Sequence, residues 1–473
     1  SRESSLRCTP SWKAQSPQIQ KPRKVLDQFF YLYRVYKMRN ALVPFFCAFF
    51  MATGFFSSGQ SIQETSTLEA FQWSDFKSQP QQALRILEEL NNWRNQSPSE
   101  TGKKLRVVYF HPKDREPLKD YAKRWDGIMS DIQDFFRTEM KRLGYDHVSM
   151  GLERENKMLK IHKVRGSKGD KSYTYKSGGE IRKEVFQALR NKNINPETET
   201  LLIVCGLSRT QGKKVTIYSP YYGMGADHNK GICFTADMEW LSVDGLRPDP
   251  NNIILQVKEH RDYEPFPLGR FNTVYIGGTI HELGHGLSLP HNLATKEQAK
   301  WGTALMGAGN YTYRKEWRTK EKGSFLTHSS AIRLLVHPLF SETTKQSKDA
   351  PKLSYDQLDL AWSEEKIHIQ GKIHSAVPVV AMIAYNDAEN KGQRGYMVNN
   401  NYDATSWTSV LSPNHEFRLE VGDLGDGNHQ IRILSVHANG ATVTKRIHYS
   451  MKDGIPSFDR ARREIQSILN KKH

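Results

Sequence analysis

From residue 104 the chain alternates apolar runs with amphipathic segments. LRVVYF (105–110) is short, β-branched and aromatic, which predicts a buried strand. Trp125, Ile128, Met129, Ile132, Phe135, Phe136, Met140 and Leu143 then recur at steps of three and four, tracing one face of a helix that Gly144 ends. HVSMGL and KMLKIHKV (147–164) read as strands, and Ile181, Val185, Ala188 and Leu189 mark the inner face of a second helix. LLIVCGL (201–207) is continuously apolar, as a central strand buried on both faces requires. VTIYS (215–219) and GICFTADMEW (231–240) are shorter strands, and a third helix begins near 272. This order predicts an α/β (α+β) domain over 104–345, with helices packed on a mixed sheet.

The pattern changes at both ends. SETTKQSKDAPKLS after Phe340 reads as polar connection, and 346–364 is assigned as a linker. KIHIQGKI, VPVVAMIAYND, HEFRLEV, HQIRILSVHA and TVTKRIHYS alternate with period two between NG, DG and Pro turns. They predict an all-β sandwich of the Ig or fibronectin III kind over 365–450. Residues 451–473 form a C-terminal helix or tail. Residues 62–103 are an N-terminal extension or propeptide with one helical stretch, PQQALRILEELNNWRN (80–95). Upstream, ALVPFFCAFFMATGFF (41–56) is apolar, preceded by Lys37 and Arg39 and followed by Ser57, Ser58 and Gly59. That succession is a secretory leader. With translation starting at Met38, residues 1–37 become an artefact of start-site assignment, and 1–61 are extension plus signal. The run is short for a span of about 20 residues, so a membrane anchor with a basic tail is the lesser alternative. No stable span remains after cleavage.

Composition adds charge and redox context. The 473 residues allow about two to four domains. The formal net charge of +17 favours anionic partners, such as an anionic glycan on the basic surface or on the sandwich. No Lys/Arg run resembles a nucleic-acid arm, so no nucleic-acid partner is expected. Of four cysteines, Cys205 and Cys233 lie beyond the leader, and an exported chain makes a disulfide between them plausible; two buried free thiols are the alternative.

The chemistry concentrates in HELGHGLSLPH, 281–291. On a helix, positions i and i+4 share a face, so His281 and His285 can hold one ion. Glu282 is about 100° further around the axis, beside the ion rather than on it, where a general base belongs. Catalytic zinc takes three protein ligands and keeps an open position. His291 is the candidate for the third, because Pro290 stops the helix and lets the chain turn back. His228, His260 and His328 have no ligand spacing. Gly277 and Gly278 allow the helix to pack closely on the sheet.

The spacing His-x3-His-x5-His resembles that of the metzincin metallopeptidases, HExxHxxGxxH. The family glycine is Ser288 here, at a left-handed position where a side chain costs about 1–2 kcal/mol. The resemblance covers roughly 104–340. It implies that Met306, in TALMGAGN, forms a methionine turn beneath the metal, and that Tyr311 or Tyr313 is a candidate for transition-state donor. It also implies that an extended substrate pairs with an edge strand, drawn from GICFTADMEW or YYGMGADHNK.

The expected function is a secreted zinc-dependent endopeptidase acting on protein or peptide, with Zn2+ on His281, His285 and His291 and Glu282 as base. Two rivals remain: a non-catalytic binding or adhesion protein that keeps a peptidase-like domain, and a zinc hydrolase of a non-peptide amide. The leader generates its own prediction. N-terminal sequencing of the exported protein should find a chain starting after about residue 60, and retention of 41–56 would instead indicate an anchor.

Overall fold

The structure, a computed structural model, describes residues 71–96, 102–259, 262–389 and 403–470. The expected leader and its apolar run lie outside the described residues. No described helix is long and apolar enough to cross a membrane.

The first helix, α1, spans Gln79–Asn95. Ser78 and Gln81 cap it reciprocally, Ser78 N donating to Gln81 Oε1 at 3.1 Å and Gln81 N to Ser78 Oγ at 3.4 Å. Ala83, Ile86, Leu90 and Trp93 recur at steps of three and four and are all buried. They join the main core, so this part of the expected extension is built into the fold.

The strands that follow are β1 (Arg106–His111), β2 (Ile161–Arg165), β3 (Thr200–Cys205), β4 (Ser208–Gln211), β5 (Lys214–Ile217), β6 (Tyr222–Asp227), β7 (Lys230–Ala236), β8 (Ile254–Lys258) and β9 (Glu264–Pro267). They form two sheets, ordered β2-β1-β3-β7-β6 and β9-β8-β5-β4. In the first sheet β2, β1, β3 and β7 run parallel, and the edge strand β6 runs antiparallel to β7. Helices α2 (Tyr121–Arg142) and α3 (Gly178–Arg190) supply apolar faces to cores on opposite sides of this sheet. Thus β3 is buried at every position, as its unbroken apolar run implies. The long helix α4 (Leu268–Gly286) lies along β6 and β7, and a short helix α5 covers His328–Leu335.

The β3–β7 register corrects the expected disulfide. Leu202 pairs with Cys233 and Cys205 with Ala236. The cysteines are therefore three positions apart on neighbouring strands, and an odd offset sends their side chains to opposite faces. Cys205 packs into the core under α3, while Cys233 faces α4 in the other core. Both are free, buried thiols. Burial pushes both pKa values up, that of Cys205 to about 12.

The C-terminal region is antiparallel throughout. Strands β10 (Ser354–Ser363), β11 (Lys366–His374) and β14 (Glu416–Val421) form one sheet. The other is ordered β13-β12-β15-β16-β17, from β12 (Val379–Ala388), β13 (Thr405–Ser409), β15 (Gly427–His437), β16 (Thr442–Lys452) and β17 (Ile455–Ser457). Much of the expected linker is therefore strand β10, and Lys345 and Ser347 ahead of it are buried. The expected tail carries helix α6 (Asp459–Leu469), whose Ala461 and Ile465 join the sandwich core.

Alternation gives β12 and β15 two buried faces. Met382, Ala384, Ile431 and Ile433 point into the sandwich, whereas Ile383, Tyr385, Leu434 and Val436 point into the main core with α1 and α4. Burying each aliphatic side chain is worth about 1.5–3 kcal/mol, so a shared core is favoured over two separable domains. The prediction from this section is chemical. Denaturation without reductant should expose both Cys205 and Cys233 to alkylation, with neither reacting in the folded protein; peptide mapping that found them linked would contradict the register.

Candidate metal centre

The site is built where α4 meets the β6–β7 hairpin. A side chain at Gly223 would strike the Glu282 carbonyl, and one at Gly231 would strike that of Gly286. With no Cβ at these positions, strand and helix backbones touch. Gly223 N then donates to Glu282 Oε2 at 2.8 Å. The expected role of the Gly277–Gly278 pair needs refining: Gly277 faces Asn310 and Tyr313, and Gly278 faces the Tyr221 hydroxyl just ahead of β6.

His281 and His285 stand one turn apart, with ring centroids 4.9 Å from each other. The helix ends at Gly286, and Ser288 takes the left-handed conformation with φ 64°. Ser288 N donates to His285 O and Leu289 N to Gly284 O, both at 2.9 Å, closing the turn. The strain of a non-glycine residue is offset by its hydroxyl, which donates to Asp227 O of β6 at 3.0 Å. Arg333 of α5 donates to the Ser288 carbonyl. This turn brings the His291 ring to 5.3 Å from that of His281 and 4.4 Å from that of His285, centroid to centroid.

The donor set fits a metal ion. One ring nitrogen from each of the three histidines lies within 4.8 Å of the others. His281 Nδ1 is 2.8 Å from Leu305 O, and His285 Nδ1 is 2.9 Å from Leu289 O. A carbonyl only accepts, so both Nδ1 atoms carry the hydrogen and both Nε2 lone pairs face the centre. Leu305 is itself pinned, its N donating to Phe325 O at 2.8 Å. His285 Nε2 and His291 Nε2 are 3.0 Å apart. Burial holds all three rings neutral at ordinary pH. His281 is lowered to about 3 by burial and then by the His285 charge, and His291 also feels Arg432 of β15. Neutral imidazole is the ligand form.

Glu282 is half-buried, and burial raises its pKa to about 8. A dication nearby would lower it again. Met306 is buried, with its sulfur where a side chain on Gly284 would sit. The tyrosine expectation is corrected for Tyr313, which is fully buried and donates to Asp131 Oδ2 at 2.7 Å. Tyr311 lies in the short turn Gly309–Tyr311, packed on α4 upstream of the triad. His328 is buried between the Tyr145 hydroxyl and Thr408 Oγ1, and His228 contacts Ser347 O; His260 is outside the described residues. Of the two expected substrate-pairing segments, YYGMGADHNK supplies the edge strand and GICFTADMEW the inner one. Tyr175 and Arg432 were not legible near the site, and Gly223 was legible only as part of YYGMGADHNK. Tyr175 stands close enough to Glu282 and Glu259 that their charges add to burial in raising its pKa.

Fold and site together define an α/β chain with a β-rich C-terminal region and a histidine triad able to hold a metal ion. No family model matches the chain, and no curated protein matches its sequence. Among solved structures it is similar to wild-type OgpA from Akkermansia muciniphila, with TM-score 0.62 and 26% identity over 75% of this chain and 95% of that one. It is equally similar to catalytically inactive OgpA in complex with an O-glycopeptide (glycodrosocin) substrate, with TM-score 0.62 and 26% identity over 77% and 97%.

The Glu282 environment predicts a pH effect in the metal-free protein. The carboxyl titrates near 8 when folded and about 4.3 when unfolded. As pH rises from about 4 to 8 the unfolded chain releases this proton and the folded one keeps it, so folding is progressively disfavoured. The thermal midpoint of the metal-free wild type should fall across that window relative to Glu282→Gln. A constant difference between the two would reject the raised pKa.

Proposed function

We propose that this protein is a zinc-dependent, extracellular endopeptidase, and that peptides carrying O-linked glycans are its substrate class. The observation that carries the reading is the triad of His281, His285 and His291 with the Glu282 carboxylate beside it. The similarity to OgpA, crystallised with an O-glycopeptide substrate, supports the substrate class. The apolar run 41–56 in the sequence supports export.

Zinc, when bound, would supply Lewis acidity that polarises the scissile carbonyl and acidifies the attacking water. The protein's own groups do the rest. The outer edge of β6 offers backbone donors and acceptors to an extended peptide, which orients the scissile bond over the triad. Gly223 N occupies one oxygen of Glu282 and fixes the carboxylate plane, leaving the other oxygen for the water. Glu282 takes the water's proton as oxygen bonds to the carbonyl carbon. It then returns that proton to the amide nitrogen as the C–N bond breaks.

The rival reading as a binding protein separates experimentally. Wild type, Glu282→Gln and His291→Ala, each full length, are assayed by mass spectrometry on an O-glycopeptide and on its unglycosylated counterpart. Wild type should cut the glycopeptide. Glu282→Gln should lose at least about 10²-fold in rate while keeping zinc, and His291→Ala should bind zinc more weakly. Full activity in Glu282→Gln would sink the mechanism. A zinc-loaded wild type that cuts neither peptide would favour a binding role.

A further inference from the structure

Resting on the zinc reading above, we infer that the C-terminal sandwich belongs to the metal site, and that Asn292 is the positioning residue through which it holds the third ligand. Asn292 follows His291 directly and is fully buried. Its N donates to Met306 O at 3.1 Å, tying the ligand to the methionine turn. Its Nδ2 lies 3.0 Å from Thr327 Oγ1, 3.1 Å from Ser329 Oγ and 3.3 Å from Ser330 Oγ, the hydroxyls that open α5. Ser329 Oγ is in turn 2.7 Å from Ser406 Oγ on strand β13 of the sandwich.

Two further bonds bypass the side chain. Leu293 N donates to Ala404 O at 2.6 Å, and Lys296 N donates to Asp423 Oδ2 at 2.7 Å. Both acceptors belong to the C-terminal region. The segment after His291 therefore has a catalytic-region wall on one side and a sandwich wall on the other. This matters because 288–296 has no regular structure of its own: α4 has ended, and the next described helical turn starts at Gln298. His281 and His285 are fixed by a helix, whereas His291 is fixed by these contacts.

Hydrogen bonds behind a ligand typically change metal affinity by about 10–100-fold when removed. The test measures zinc affinity by chelator competition on the full chain, with the thermal midpoint of each metal-free protein recorded alongside. Asn292→Ala should bind zinc about 10–100-fold more weakly than the wild type. The double variant Ser406→Ala, Asp423→Ala lies wholly in the sandwich and should weaken zinc by about threefold or more, even if Asn292→Ala fails to fold. Unchanged affinity in the folded Asn292→Ala protein, or in the double variant, overturns the inference. A wild type that binds no zinc overturns the functional reading instead, so the two failures are distinguishable.

Discussion

The structure depends first on a backbone contact, the approach of the β6–β7 hairpin to α4. Gly223 and Gly231 leave no side chain between strand and helix. Everything at the centre is referenced to that contact. It aims Gly223 N at Glu282, and it lets Asp227 O reach the Ser288 hydroxyl that steadies the turn to His291. It also presents the free edge of β6 along the same helix. A methyl at either glycine would separate Glu282, the turn to His291 and the edge strand together. Space is thus the controlling variable, and side-chain chemistry follows from it.

The second constraint is that a three-histidine site draws ligands from regions with different rigidity. A helix guarantees the His281–His285 spacing through its own hydrogen bonds. No local rule guarantees the distance to His291. The fold meets it with an αL turn at Ser288, the Arg333 bond to its carbonyl, and the Asn292 bonds beyond it. Because β12 and β15 bury one face each against the main core, the sandwich is near enough to take part. Its packing and its polar contacts serve the same segment.

Much of this was legible in the sequence, for reasons that also explain the gaps. Local periodicity exposes elements, so LLIVCGL read as a central strand, and the steps from Trp125 to Leu143 matched a helix whose described span runs Tyr121–Arg142. HELGHGLSLPH carried its geometry because helix pitch and Pro290 are local facts. The disulfide was misjudged because pairing depends on register across strands: one residue of offset decides which face a cysteine takes, and nothing near Cys205 or Cys233 records it. Tyr313 was misjudged for the same reason, since its partner Asp131 is far off in sequence. The linker was placed on polarity, yet SYDQLDLAWS is a strand in which only Tyr355 and Leu358 are fully covered. Arg432 and Tyr175 reach the site through tertiary folding alone.

The electrostatics of the centre make most sense as a site waiting for positive charge. Burial keeps three imidazoles neutral and favours the protonated form of Glu282. With no cation, these four side chains therefore add no charge to the buried centre. A dication would reverse the balance: the neutral nitrogens could ligate it with no proton to expel, and the Glu282 carboxyl would give up its proton, as the proposed base requires. Metal binding and deprotonation of Glu282 would then be one linked event. Arg432 adds a positive charge near His291 from the sandwich side. It opposes protonation of that ring and so favours the form that can act as a ligand, which gives the C-terminal region an electrostatic part in the site beside its mechanical one.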